Sequence, residues 1–87
     1  MNNISFSPIA WSEYLYWQSQ DKKTLKKINQ LLQDIQRDNF SGLGKPEPLK
    51  YRENCWSRRI DDKNRLVYSI DNNKDVIILA CKGHYED

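Results

Sequence analysis

Trp56-Ser57-Arg58-Arg59-Ile60, Asp61-Asp62-Lys63-Asn64 and Arg65-Leu66-Val67-Tyr68-Ser69-Ile70 follow one another without a break, and their reading decides the fold. The outer two alternate with the two-residue period of a half-buried strand, while the middle four are turn formers. A connection this short joins only antiparallel neighbours. Asp71-Asn72-Asn73-Lys74 predicts a second turn, and Val76-Ile77-Ile78-Leu79-Ala80-Cys81 reads as a continuous apolar strand. Such a run suits a central position with both faces covered. Residues 56–81 are therefore predicted to form an antiparallel meander.

Toward the N-terminus the period changes. Ile4 and Phe6 alternate with serines, which fits a short first strand. Ser7-Pro8 is a helix start, a capping hydroxyl followed by proline at the first helical position. Ala10, Trp11, Tyr14, Leu15 and Trp17 then fall on one broad helical face and read as core. A second start at Asp21 leads into an apolar stripe of Leu25, Ile28, Leu31, Leu32 and Ile35. Lys22, Lys23, Lys26, Lys27 and Arg37 lie opposite, either as solvated surface or as contacts to a nucleic-acid backbone. Two helices joined by so short a link make an antiparallel pair. The expected class is α+β, with an N-terminal strand and two antiparallel helices on one face of a mainly antiparallel sheet of about four strands.

With 87 residues, the chain is expected to form one domain spanning 1–87, since two cores would each be too small to stand alone. No apolar run approaches the roughly 20 residues of a membrane span, and the first residues lack a secretion-signal layout. A cytoplasmic protein without membrane contact is the expectation. Net charge is +2, but residues 45–69 carry seven Lys and Arg against four Asp and Glu. That basic middle suits either a polyanion or ordinary solvated surface. Cys55 and Cys81 are too few for a disulfide scaffold and read as small apolar residues; with one His and no Cys-x-x-Cys, no metal site is expected.

Residues 39–50 read as a loop, yet Glu47 stands between two prolines, and Pro48 holds it away from helical geometry. Lys45 and Lys50 flank it. The sheet face away from the helices is where Glu47, Arg59, Arg65 and the lone His84 could meet. Arg59 and Arg65 flank the same turn, so cross-strand pairing would set them side by side. A ribonuclease without metal needs a base for the ribose 2′-hydroxyl, an acid for the departing 5′-oxygen, and cations around the phosphate. A carboxylate, an imidazolium and guanidinium groups can fill those roles. Spacing alone favours the plainer alternative of surface ion pairs and a histidine without duty.

Longer motifs add to this. Trp11-Ser12-Glu13-Tyr14-Leu15-Tyr16-Trp17-Gln18, Lys26-Lys27-Ile28-Asn29 and Gly44-Lys45-Pro46-Glu47-Pro48-Leu49-Lys50 resemble, in order, the YoeB (Txe/YoeB) toxins of the RelE superfamily. So do Trp56-Ser57-Arg58-Arg59-Ile60, Arg65-Leu66-Val67-Tyr68 and Cys81-Lys82-Gly83-His84-Tyr85. The resemblance implies a RelE-like fold and a bacterial type II toxin, a ribosome-dependent endonuclease cutting mRNA codons in the A site. It places the general base on Glu47, the general acid on His84 and the transition-state arginine on Arg65. Lys50, Arg59 and Tyr85 match positions for substrate orientation and phosphate contact.

No cofactor is implied. Implied partners are a YefM-type antitoxin, the 70S ribosome with A-site mRNA, a second copy of the chain, and operator DNA reached only through the antitoxin. Implied products are a 2′,3′-cyclic or 3′-phosphate end and a 5′-hydroxyl. The alternatives are a non-catalytic gyrase inhibitor like the ParE toxins of the same superfamily, and a degenerate toxin kept for regulatory pairing. The chain departs from the pattern at Asn54-Cys55-Trp56, where the family often has a glycine, and at the added Glu86-Asp87.

Overall fold

A computed structural model describes residues 3–83. Its elements run β1 (Ile4–Phe6), α1 (Pro8–Gln20), α2 (Lys22–Arg37), β2 (Glu47–Pro48), β3 (Cys55–Arg59), β4 (Arg65–Ile70) and β5 (Val76–Ala80). The strands form one sheet in the order β1-β5-β4-β3-β2. β1 lies parallel to β5, and the other pairings are antiparallel. The expected α+β architecture is present, with five strands instead of about four. The extra one is β2, which lies inside the segment read as a loop: its prolines allow only a two-residue edge strand on β3.

Both helices begin where the sequence places their caps. Ser7 Oγ accepts from the Ala10 N–H at 3.1 Å, and Pro8 follows at the first position. Asp21 serves two helices at once. Its N–H donates to the Trp17 carbonyl and closes α1, while its carboxylate accepts from Lys23 and Thr24 N–H and opens α2. Its extended backbone (φ −156°) breaks the helix without a longer linker.

The core lies between the helices and one face of the sheet. Ile28, Leu31 and Ile35 of α2, with Ala10 and Trp17 of α1, cluster with Leu66, Tyr68, Ile70, Val76 and Ile78. Not every expected core residue is there. Trp11 and Leu15 are 49% and 42% exposed, because a two-layer fold admits only a narrow stripe of α1. Trp11 instead stacks on Tyr14, with Phe6 at its edge, as a cluster on the flank of the helix. β5 also departs from expectation. It is interior to the sheet, but Ile77 points to the uncovered face and is 38% exposed. Cys55 and Cys81 are buried thiols, as expected. Burial, reinforced by the Glu13 carboxylate, pushes the Cys81 thiol up to about 12, so it is inert near neutral pH.

Candidate active site

The strand register settles which side chains share the uncovered face. Glu47 pairs with Ser57, Ser57 with Val67, and Arg59 with Arg65. Residues two apart on a strand point the same way, so Glu47, Ser57, Arg59, Arg65 and Val67 all face away from the helices. Three of the predicted site residues are thereby brought to one surface. Glu47 stands one strand from Ser57 and two from Arg65, roughly 10 Å between backbones at the usual strand spacing.

Glu47 is fixed from below by its own loop. Gly44 O accepts from the Arg59 N–H at 2.7 Å, and Leu49 N–H donates to Cys55 O at 2.9 Å, so the loop is stitched to β3 on both sides of Glu47. Gly44 permits this approach. At φ 78° a Cβ would lie 2.9 Å from Arg59 O and 3.0 Å from Leu31 Cδ2, too close for any larger residue.

Arg65 is held at the inner edge of its guanidinium. Its Nε donates to Ser57 Oγ at 3.1 Å, and Ser57 is buried. Among the described residues, Arg65 Nη2 is buried and has no hydrogen-bond partner. A buried N–H without an acceptor costs about 1–3 kcal/mol. Arg59 sits directly opposite on β3, exposed, and pairs with Asp62 of the turn. Two guanidinium groups opposite one another repel unless an anion lies between them.

Lys50 lies just beyond β2 and is exposed. His84 and Tyr85 lie outside the described residues. The chain leading to them is anchored at Arg65, whose N–H donates to Gly83 O at 3.0 Å. Among the described residues no group of His, Cys, Asp and Glu could hold a metal ion, and no helix is long and apolar enough to cross a membrane.

Arg58, counted with the basic middle of the sequence, is a different kind of residue. It points into the core layer with no exposed surface. Nη1 meets Asp34 Oδ2 at 2.6 Å and Leu43 O at 3.1 Å; Nη2 meets Asp38 O at 2.6 Å and Ser41 O at 3.2 Å; Nε donates to Tyr68 Oη at 3.1 Å. It ties down residues 38–43, the segment feeding the Glu47 loop. Arg37, the Leu43 N–H and Arg58 together hold the Asp34 carboxyl well below the usual carboxylate range, Arg37 most strongly.

Residues 6–85 match the model of the YoeB-like toxins of bacterial type II toxin–antitoxin systems. The chain belongs to the YoeB toxin family. It is 49% identical over 84 residues to the YoeB toxin of Synechocystis, covering 95% of this chain and 96% of that one. Among solved structures it is similar to the YoeB dimer of Staphylococcus aureus, with a TM-score of 0.89, 46% identity, and 97% and 98% of the two chains covered. The YoeB–YefM complex of the same species superposes with a TM-score of 0.85 at 47% identity, covering 98% and 99% of the two chains. The YoeB fold here carries a charged cluster whose supports, Ser57 beneath Arg65 and Arg58 beneath the Glu47 loop, were not singled out from sequence. The parity of Ser57 with Arg59 was the one available signal for the first.

Proposed function

We propose that this YoeB-family chain is an endoribonuclease that cuts mRNA codons in the ribosomal A site and so stops translation. Glu47 takes the proton of the ribose 2′-hydroxyl, whose oxygen attacks the adjacent phosphorus. The bond from phosphorus to the 5′-oxygen breaks, and His84 gives that oxygen its proton. The products are a 2′,3′-cyclic phosphate and a 5′-hydroxyl, and the step consumes no cofactor. Arg65 balances the charge that grows on the phosphate, while Arg59, Lys50 and Tyr85 hold and orient the strand.

The observation that carries this reading is the buried, unpartnered Nη2 of Arg65 on the same face as Glu47. A guanidinium fork whose outer nitrogen awaits an acceptor matches a phosphate oxygen in shape and charge. A YefM-type antitoxin and a second copy of the chain are the partners that the Staphylococcus aureus structures support; the ribosome that presents the codon belongs to the nuclease reading itself.

Induction in cells followed by primer extension tests the proposal. In-frame cuts in translated mRNA are expected, and Glu47→Gln, shown to be folded, should slow cutting by ~10²–10⁴-fold. Growth arrest that persists unchanged in folded Glu47→Gln would remove Glu47 from its role. A DNA-damage response without mRNA cuts would point instead to a gyrase poison.

A further inference from the structure

The segment that ends β5 and leads into His84 is held at two residues. Cys81 N–H donates to Glu13 Oε1 at 2.8 Å, and Cys81 O accepts from Trp17 Nε1 at 2.9 Å, so α1 fixes the end of the strand. Two residues on, Gly83 is gripped through both of its backbone polar groups. Its N–H donates to Asn64 Oδ1 at 2.8 Å, and its carbonyl accepts from the Arg65 N–H at 3.0 Å.

Asn64 is itself locked. Its Nδ2 lies 3.1 and 3.2 Å from the two oxygens of Asp61, and its own N–H donates to Asp61 Oδ1 at 2.8 Å. The carboxylate thus turns the amide so that its oxygen faces Gly83. At Gly83, φ is 88° and a Cβ would meet nothing within 4 Å. Only the backbone conformation, not space, calls for glycine there. A lone backbone bond to Arg65 would leave Gly83 free to pivot.

We propose that Asn64 is a positioning residue for the reaction: by clamping the Gly83 N–H it fixes the Lys82–Gly83 peptide, and with it the residue to which His84 is joined, relative to Arg65. The inference rests on the nuclease reading given above. Asn64 acts on no reacting atom in this scheme; it acts through the backbone of Gly83. The turn that places Arg65 thus also places the residue joined to the proposed acid.

The test compares wild type, Asn64→Ala, and the exchange Asp61→Asn with Asn64→Asp, which keeps an acceptor on the Gly83 N–H and a donor–acceptor pair beneath it. Each is assayed in cleavage on programmed ribosomes, with thermal unfolding and amide hydrogen exchange at Gly83 measured alongside. Asn64→Ala should lower kcat by ~10–100-fold while KM stays within about threefold, because geometry and not binding is lost. It should also remove the protection of the Gly83 amide. The exchange should restore kcat to within about fivefold of wild type if acceptor geometry is what matters. Wild-type kcat in folded Asn64→Ala, a change confined to KM, or failure of the exchange to restore cleavage would overturn the proposal. A wild-type protein that cuts nothing would instead sink the nuclease reading. The anchor is then judged by exchange alone, and equal Gly83 protection with and without the Asn64 amide overturns it.

Discussion

Arg65 Nε donates to Ser57 Oγ at 3.1 Å, and this bond leaves the outer nitrogen of the same guanidinium buried without a partner among the described residues. The arrangement separates two jobs within one side chain. The inner edge is spent on orientation, and the proposed reaction assigns the outer edge to the phosphate. A lysine ammonium could not divide its donors this way, since it is a point charge on a flexible stem.

Arg65→Lys should therefore keep the charge and lose the function. A drop of ~10²–10³-fold in single-turnover cleavage is expected, the usual cost of one preorganised charge stabiliser. Near-wild-type turnover in this variant would mean that charge alone suffices and the fork is irrelevant.

Ser57→Ala removes the oxygen that orients Arg65 and leaves its Nε without that acceptor. Cleavage should fall by ~10-fold or more through misplacement of the guanidinium. Thermal unfolding measured on the same sample separates this from loss of fold, because alanine fits the space serine occupied.

Arg59 is exposed and already paired with Asp62, so under the proposed reaction it attracts the strand and does not act at the reacting phosphorus. Arg59→Ala should weaken binding to RNA with little change in the chemical step. The salt dependence of binding, plotted as log affinity against log salt, should lose about one unit of slope. An unchanged slope would show that Arg59 meets no phosphate.

The buried Arg58 governs stability. Asp34→Ala strips its carboxylate partner and leaves a charge with no exposed surface inside the protein. A loss of ~3–5 kcal/mol is expected in urea unfolding, the range for breaking a buried pair by removing one member. A loss under ~1 kcal/mol would mean that the four neighbouring acceptors satisfy Arg58 unaided.

The same carboxylate sets part of the response to acid. Its folded pKa lies below its unfolded one, so the stability it contributes is present above the unfolded value and drains away as pH falls past it. Wild-type stability should therefore decline from roughly pH 5 downward. Asp34→Asn should flatten that decline, leaving the smaller slopes from Asp21 and Asp38, whose carboxyls are lowered by hydrogen bonds from Thr24 and from the Phe40 N–H, and from Asp61, where burial is outweighed by hydrogen bonds from Lys63 and Asn64. Equal slopes in both proteins would contradict the assignment.

Much of the fold was legible because it is written in local chemistry. Ser7-Pro8 and Asp21 announce their helices, and the turn at residues 61–64 dictates the Arg59–Arg65 pairing. What escaped depends on distant partners. Arg58 and Arg59 are identical neighbours in the sequence, and only the parity of the strand sends one into the core and the other to solvent. The edge strand at Glu47–Pro48 is hidden by prolines that signal a loop. Trp11 and Leu15 have the spacing of core residues, but the width of the buried stripe is set by the sheet beneath and not by the helix. For the site, residue types raised Glu47, Arg59, Arg65 and His84 as candidates, only the family resemblance gave them roles, and the support from Ser57 needed the register.

The central claim is that the ribose 2′-hydroxyl is the attacking group in a site built around Glu47 and Arg65. The direct test is an mRNA carrying a single 2′-deoxynucleotide at the mapped cut position, placed in the A site of programmed ribosomes beside its all-ribose counterpart. The account predicts that the all-ribose message is cut to a 2′,3′-cyclic phosphate and a 5′-hydroxyl while the deoxy message stays whole. Cutting of both messages at the same position would contradict it.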